Sequence, residues 1–185
     1  MSDRSLPRRM LRAARLDAQL YEEVEAERGA IGQALAVVAL ACAAGAVGTA
    51  VRDIGLGGEP FRYAALRLAL EVVEPLVLWL GGSLFAYMVG ATFLRGPETQ
   101  TDYREVLRTT GFAFTPGLLR GLVFVPPPPL GLAFAVAADV WMLVCGIVAV
   151  RQALDFTTLR AVGTFGSAYA LLWLLLTGML VVLNL

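Results

Sequence analysis

Long apolar runs separated by short polar stretches set the pattern of this chain. A run of about 20 residues is long enough to cross a bilayer, because about 30 Å of hydrocarbon needs that many residues at about 1.5 Å of helical rise each. Residues 30–51, 75–94 and 164–185 meet that length outright, and residues 130–150 meet it with one acid, Asp139, inside. Residues 111–125 form a fifth, shorter run that contains Pro116 and Arg120 and leads into four consecutive prolines. The first run starts only at residue 30 and follows acidic residues, so it reads as a retained membrane helix and not as a signal peptide.

The polar stretches carry their own periodicity. Ala13, Leu16, Leu20 and Val24 recur at spacings of three and four, which predicts one amphipathic helix over residues 7–26. Its first half is basic (Arg8, Arg9, Arg12, Arg15) and its second acidic (Glu22, Glu23, Glu25, Glu27). Such a helix can lie on lipid, dock a partner or pack lightly on the bundle. DIGLGGEPF then marks a turn-rich loop, and FRYAALRLALEVVE follows with Arg67, Glu71 and Glu74 on one helical face. That segment is expected at the membrane interface, with Pro75 in the first turn of the second span. GPETQTDYREVLRTT reads as an exposed loop with a short helix capped by Thr101 or Asp102.

Composition narrows the function classes. The chain is 58% hydrophobic and 16% charged, against about a quarter charged in soluble proteins. Its fifteen positive charges are all Arg, since the sequence holds no Lys, and fifteen acids balance them. A nucleic-acid partner is not expected without a basic excess. With no His, the usual neutral-pH proton carrier and the commonest metal ligand are missing. Cys42 and Cys145 sit in apolar runs without a CxxC spacing and read as small hydrophobes. No phosphate loop, GxSxG or metal-binding spacing is present, so no catalytic residue, cofactor or metal is assigned and no enzyme is expected.

Arginine placement orients the spans, because cytoplasmic loops carry the positive excess. With five spans and a cytoplasmic N-terminus, the six Arg of the tail, Arg95, Arg104, Arg108, Arg151 and Arg160 fall inside. Arg52, Arg62 and Arg67 fall outside, and Arg120 lies in the membrane. A third segment that only dips would move Arg151 and Arg160 outside, so five crossings fit better. The tetraproline then becomes an external turn, which suits residues without backbone donors.

Ionisable groups inside a membrane are functional candidates because they are costly to leave unpaired. Here they are Arg120 and Asp139, with Glu71 and Glu74 as competing partners near the outer interface. Arg120 and Asp139 flank the proline turn at similar depths, which makes an ion pair reasonable; an ion or polar-ligand pathway and a structural pair both remain open. Gly82, Ala86 and Gly90, with Ala44 and Gly48, form small-residue stripes that allow close helix packing within the chain or between copies.

The stretches RAARLDAQLYEEVEA, LRTTGFAFTPGLL, VFVP, DVWMLVCGIVAVRQAL and DFTTLRA, in that order across residues 12–180, resemble the Yip domain family, named for Ypt-interacting protein, in its bacterial branch. The resemblance implies a five-span membrane architecture with a cytoplasmic N-terminus and an external C-terminus in a bacterial inner membrane. Relatives in eukaryotes bind Rab-type GTPases through cytosolic regions. The cytosolic tail here is only about 29 residues long, so that binding is not carried over.

The expectation is therefore an all-α integral membrane protein: a cytosolic amphipathic helix over residues 1–29 and a five-transmembrane-helix bundle over 30–185. It is expected to be non-enzymatic, a membrane scaffold or partner-binding module in contact with the lipid bilayer and with a membrane or cytosolic protein or a second copy. The alternative is a small transporter or channel-like protein using Arg120, Asp139 and Glu74.

Overall fold

The computed structural model describes residues 4–55, 61–92 and 102–182, with side chains except at 61–64, 91–92, 173, 176, 177 and 179–182. Where one N-terminal helix was expected, two short ones form: α1 (Leu6–Ala14) and α2 (Ala18–Ala26). The break lies at Leu16, whose φ of 61° is left-handed. Around it Leu16 N donates to the Ala13 carbonyl and Asp17 N to the Arg12 carbonyl, the paired bonds that close a helix around a left-handed residue. Asp17 then caps α2 by accepting from Gln19 N at 3.1 Å. Arg12 latches the hairpin through Asp17 (2.6 Å) and Glu23 (2.9 Å). The periodic positions Ala13, Leu20 and Val24 are all fully buried against the bundle, so the tail is part of the core and not a separate unit.

Helix α3 (Ala30–Gly55) is followed by α4 (Phe61–Thr92), one continuous helix. Pro75 lies inside it and does not start it, which corrects the expected interfacial helix followed by a separate span. Its first residues fall in the loop side of the same rod, and the apolar, membrane-length part is Ala65–Gly90, so Glu71 and Glu74 lie within it. Asp102 begins α5 (Tyr103–Phe112) with a capping box: its side chain accepts from Arg104 N, and Glu105 accepts from Asp102 N at 2.9 Å. Thr101, the other expected cap, lies outside the described residues.

Residues 111–125 do not form a membrane-length α-helix. After α5 the chain turns into a 3-10 helix, Thr115–Leu122, before the proline turn, α6 (Pro128–Ala153) and α7 (Thr158–Val182). Among the described residues three helices are long and apolar enough to cross a membrane, Ala30–Gly55, Ala65–Gly90 and Pro128–Ala153, so the expectation of five such helices is corrected. The run expected at 164–185 lies in α7, and its last three residues are outside the described part.

The 3-10 form has a geometric reason. Gly111 lies against Ala34, Gly117 against Ala41 and Gly121 against Ala44, so this segment runs beside α3 from one end towards the other. A 3-10 helix is wound more tightly than an α-helix and is thinner, which suits this close approach. The thin helix sits directly on α3: a methyl added at Gly48 would lie 2.8 Å from the Arg120 carbonyl oxygen and 2.9 Å from that of Gly121. At the other end of α4, Gly90 lies under Leu154 and Phe156, and Ala86 is fully buried. These small residues serve packing within the chain.

Replacing Gly48 by Ala is expected to destabilise the fold by about 1–3 kcal/mol, because the obstacle is backbone that cannot swing away. Gly32, in the same helix with nothing within 4 Å of an added methyl, is the control: its replacement by Ala should stabilise by about 0.5–1 kcal/mol. Thermal unfolding of both variants in detergent checks the pair.

Candidate functional site

A ladder of polar groups descends between α3 and α4. The spacing of Arg67, Glu71 and Glu74 places all three on one face of α4, and Thr49 and Asp53 lie one turn apart on α3. Arg67 Nη1 reaches Asp53 Oδ1 at 3.2 Å, and Arg52 Nη2 reaches the same oxygen at 3.4 Å. One turn deeper, Thr49 Oγ1 donates to Glu71 Oε1 at 2.8 Å. Gly45 makes room for the other oxygen of Glu71, which would stand 2.5 Å from a methyl at that position.

Deeper still, the 3-10 helix delivers Arg120. Its Nε and Nη2 both donate to Asp139 Oδ1 of α6, at 2.8 and 2.6 Å. The Arg120 side chain is largely buried, whereas that of Asp139 is 41% exposed. Glu74 is half-buried and close enough to interact with the charges of Arg120, Asp139 and Glu71, and Tyr169 of α7 interacts with the same group. The structure thus brings the four sequence candidates into one region, with Arg120 bonded to Asp139 and near Glu74, and Glu71 bonded to Thr49. Tyr169 and Thr49 were missed, because a lone hydroxyl in an apolar run carries no sequence signal. Among the described residues no three His, Cys, Asp or Glu side chains are placed to hold a metal.

Space borders the cluster on both sides. Towards the N-terminal end of α3 a narrow apolar cavity is lined by Ala41, Leu78, Phe114, Met142 and Phe165, with Arg120 and Tyr169 at its polar end. Towards the proline turn an open depression is lined by Arg52, Arg67, Val123, Pro126 and Pro128. Arginines therefore flank the mouth and carboxyls lie below it, an arrangement able to handle a small ion or polar solute.

A second polar region forms at the opposite end of the bundle, where distant segments meet. Arg108 of α5 is buried and donates to the carbonyls of Val24 (3.3 Å) and Glu25, capping the C-terminus of α2. Gln152 of α6 donates to Glu22 at 2.8 Å. Burial pushes the Glu25 carboxyl up to about 7, and Glu105, Asp155 and Glu22 reinforce the rise while Arg108 opposes it. The turn after α6 closes around Asp155, another left-handed residue, and leaves Leu159 of α7 83% exposed beside Arg160. Residues 95–101, also expected on this face, lie outside the described part.

The family model of the Yip1 domain matches residues 17–181 of the chain. No curated protein and no solved structure matches it. The domain match and the three apolar helices together support a membrane protein.

Two outcomes test these sites. Breaking a buried ion pair from one side costs about 3–5 kcal/mol, and the half-open Asp139 places this pair at the low end. Arg120→Met and Asp139→Leu, singly and together, should show a coupling of at least about 1 kcal/mol in a double-mutant cycle; additive losses would mean the two do not act as a pair. For Glu25, a folded value above the unfolded 4.5 means its contribution to stability is full below pH 4.5 and is lost as pH rises to about 7. Glu25→Gln should flatten that decline, as read from thermal unfolding between pH 4 and 8.

Proposed function

Because the chain belongs to the Yip1 domain family, we propose that it is a non-enzymatic membrane scaffold whose polar end, built by α2, the start of α5 and the turn between α6 and α7, binds a protein partner. One observation carries this reading: Arg108 and Gln152 tie three segments distant in sequence into one surface, with acids at its centre and an exposed leucine at its edge. Exposed Leu159 offers an apolar contact, and Glu22 and Asp155 favour a basic partner surface. The Arg-rich segments at this end argue for the cytoplasmic side, and a bacterial inner membrane suits the Arg-only composition. Photo-crosslinking from position 158 in native membranes should capture a partner that is lost in Leu159→Arg and Glu22→Arg variants. An identical crosslinking pattern in wild type and both variants would remove the proposal.

A second reading is favoured by the cluster around Arg120. Arg120, Asp139 and Glu74, between an apolar cavity and an arginine-lined depression, are the elements of a path for a small ion or polar solute. On that reading, Arg120→Ala or Asp139→Asn abolishes flux in proteoliposomes while the variants remain folded. Unchanged flux, or loss of folding in both, leaves the cluster structural.

A further inference from the structure

The α1–α2 hairpin sits deeper along the bundle than an interfacial helix would. Arg9 of α1 is buried near the start of α3, where it donates to Gln33 at 2.8 Å and pairs with Glu27. From there α1 runs inward along α6. Cys145 Sγ approaches the Ala13 carbonyl at 3.6 Å, and Trp141 Nε1 donates to the Ala14 carbonyl at 2.9 Å. Tyr21 of the returning helix also donates to Ala13. Three side chains thus satisfy the carbonyls at the end of α1, so this seat is specific.

Trp141 is midway along α6, twelve residues or about 18 Å of helix from its end at Ala153. The hairpin tip at that level carries Arg12, Arg15 and Asp17, with Glu23 beside it, and Arg15 is exposed. The apolar surface left on this face of α6 is the stretch lined by Pro129, Leu132, Val136 and Val140, about 16 Å long against about 30 Å of hydrocarbon. At the same end of the bundle the other helices expose apolar side chains almost to their termini: Ile31 and Leu35 on α3, Met88 on α4 and Val162 on α7.

We propose that the hairpin makes one face of the bundle a short crossing, where phospholipid headgroups of the leaflet on the N-terminal side descend to the level of Trp141 and place their phosphates on Arg15. The bilayer is thinned beside α6 and keeps its full depth beside α7. Mismatch of this size is met by local thinning at modest cost per ångström, so the charged tip stays solvated by headgroups and water and not by acyl chains. The inference rests on α6 crossing a bilayer.

The test uses nitroxide labels in the full chain with Cys42→Ala and Cys145→Ala, reconstituted in phosphatidylcholine and phosphatidylglycerol vesicles. Val144→Cys on α6 and Ser167→Cys on α7 each lie nine residues from the same end of the bundle, and both positions are exposed. Power saturation with oxygen and with a water-soluble nickel chelate reads the depth of each. The expected result is a label at 144 accessible to nickel and a label at 167 accessible to oxygen alone. If both labels are accessible to oxygen alone, the thinned face does not exist. If both are accessible to nickel, the proposal falls together with the reading of α6 as a membrane helix.

Discussion

Bare backbone contact between α3 and the 3-10 helix is the constraint on which the rest of this structure depends. At Gly48 the two chains approach so closely that no side chain fits between the helix and the carbonyls of Arg120 and Gly121. That contact fixes the depth at which Arg120 leaves the backbone. Its guanidinium then bonds Asp139 of α6 and lies near Glu74 of α4. Gly45, one turn earlier, gives Glu71 the space to join the same region. Among apolar helices an unpaired ionisable group is costly, and these two glycines let the partners meet.

The same logic governs the N-terminal end. A chain that turns twice in a few residues exposes helix termini, and termini carry unpaired carbonyls. Arg108, Trp141, Tyr21 and Cys145 all turn towards the carbonyls at the ends of α1 and α2. These side chains come from α2, α5 and α6, so the tail is woven into the bundle by polar bonds as well as by the burial of Leu20, Tyr21 and Val24. The surface on which a partner is proposed to dock therefore inherits the rigidity of the membrane helices.

What was legible in the sequence follows from which signals are local. Apolar length marked α3, α6 and the main part of α4, and heptad-like spacing marked the buried face of the tail. Asp102, one of the two caps expected, marked the start of α5. The meeting of Arg120 and Asp139 was readable because a short proline turn joins their segments and sets them at similar depth. Less was readable where tertiary packing decided the backbone. Leu16 adopts a left-handed conformation usually left to glycine, Pro75 is accommodated inside a continuous helix, and residues 115–122 wind as a 3-10 helix to follow α3. Each of these depends on neighbours distant in sequence, and no local pattern encodes them.

The central claim, that the 3-10 helix lies directly on α3 and so positions Arg120, is tested most directly by a disulfide between the two segments. A Cβ at position 121 would lie 3.5 Å from that of Ala44, at the short end of the range for a disulfide. In a chain with Cys42→Ala and Cys145→Ala, the pair Ala44→Cys and Gly121→Cys is predicted to form an intramolecular bond on mild oxidation in native membranes. A folded protein in which both thiols stay free, or link only between separate chains, would contradict the account.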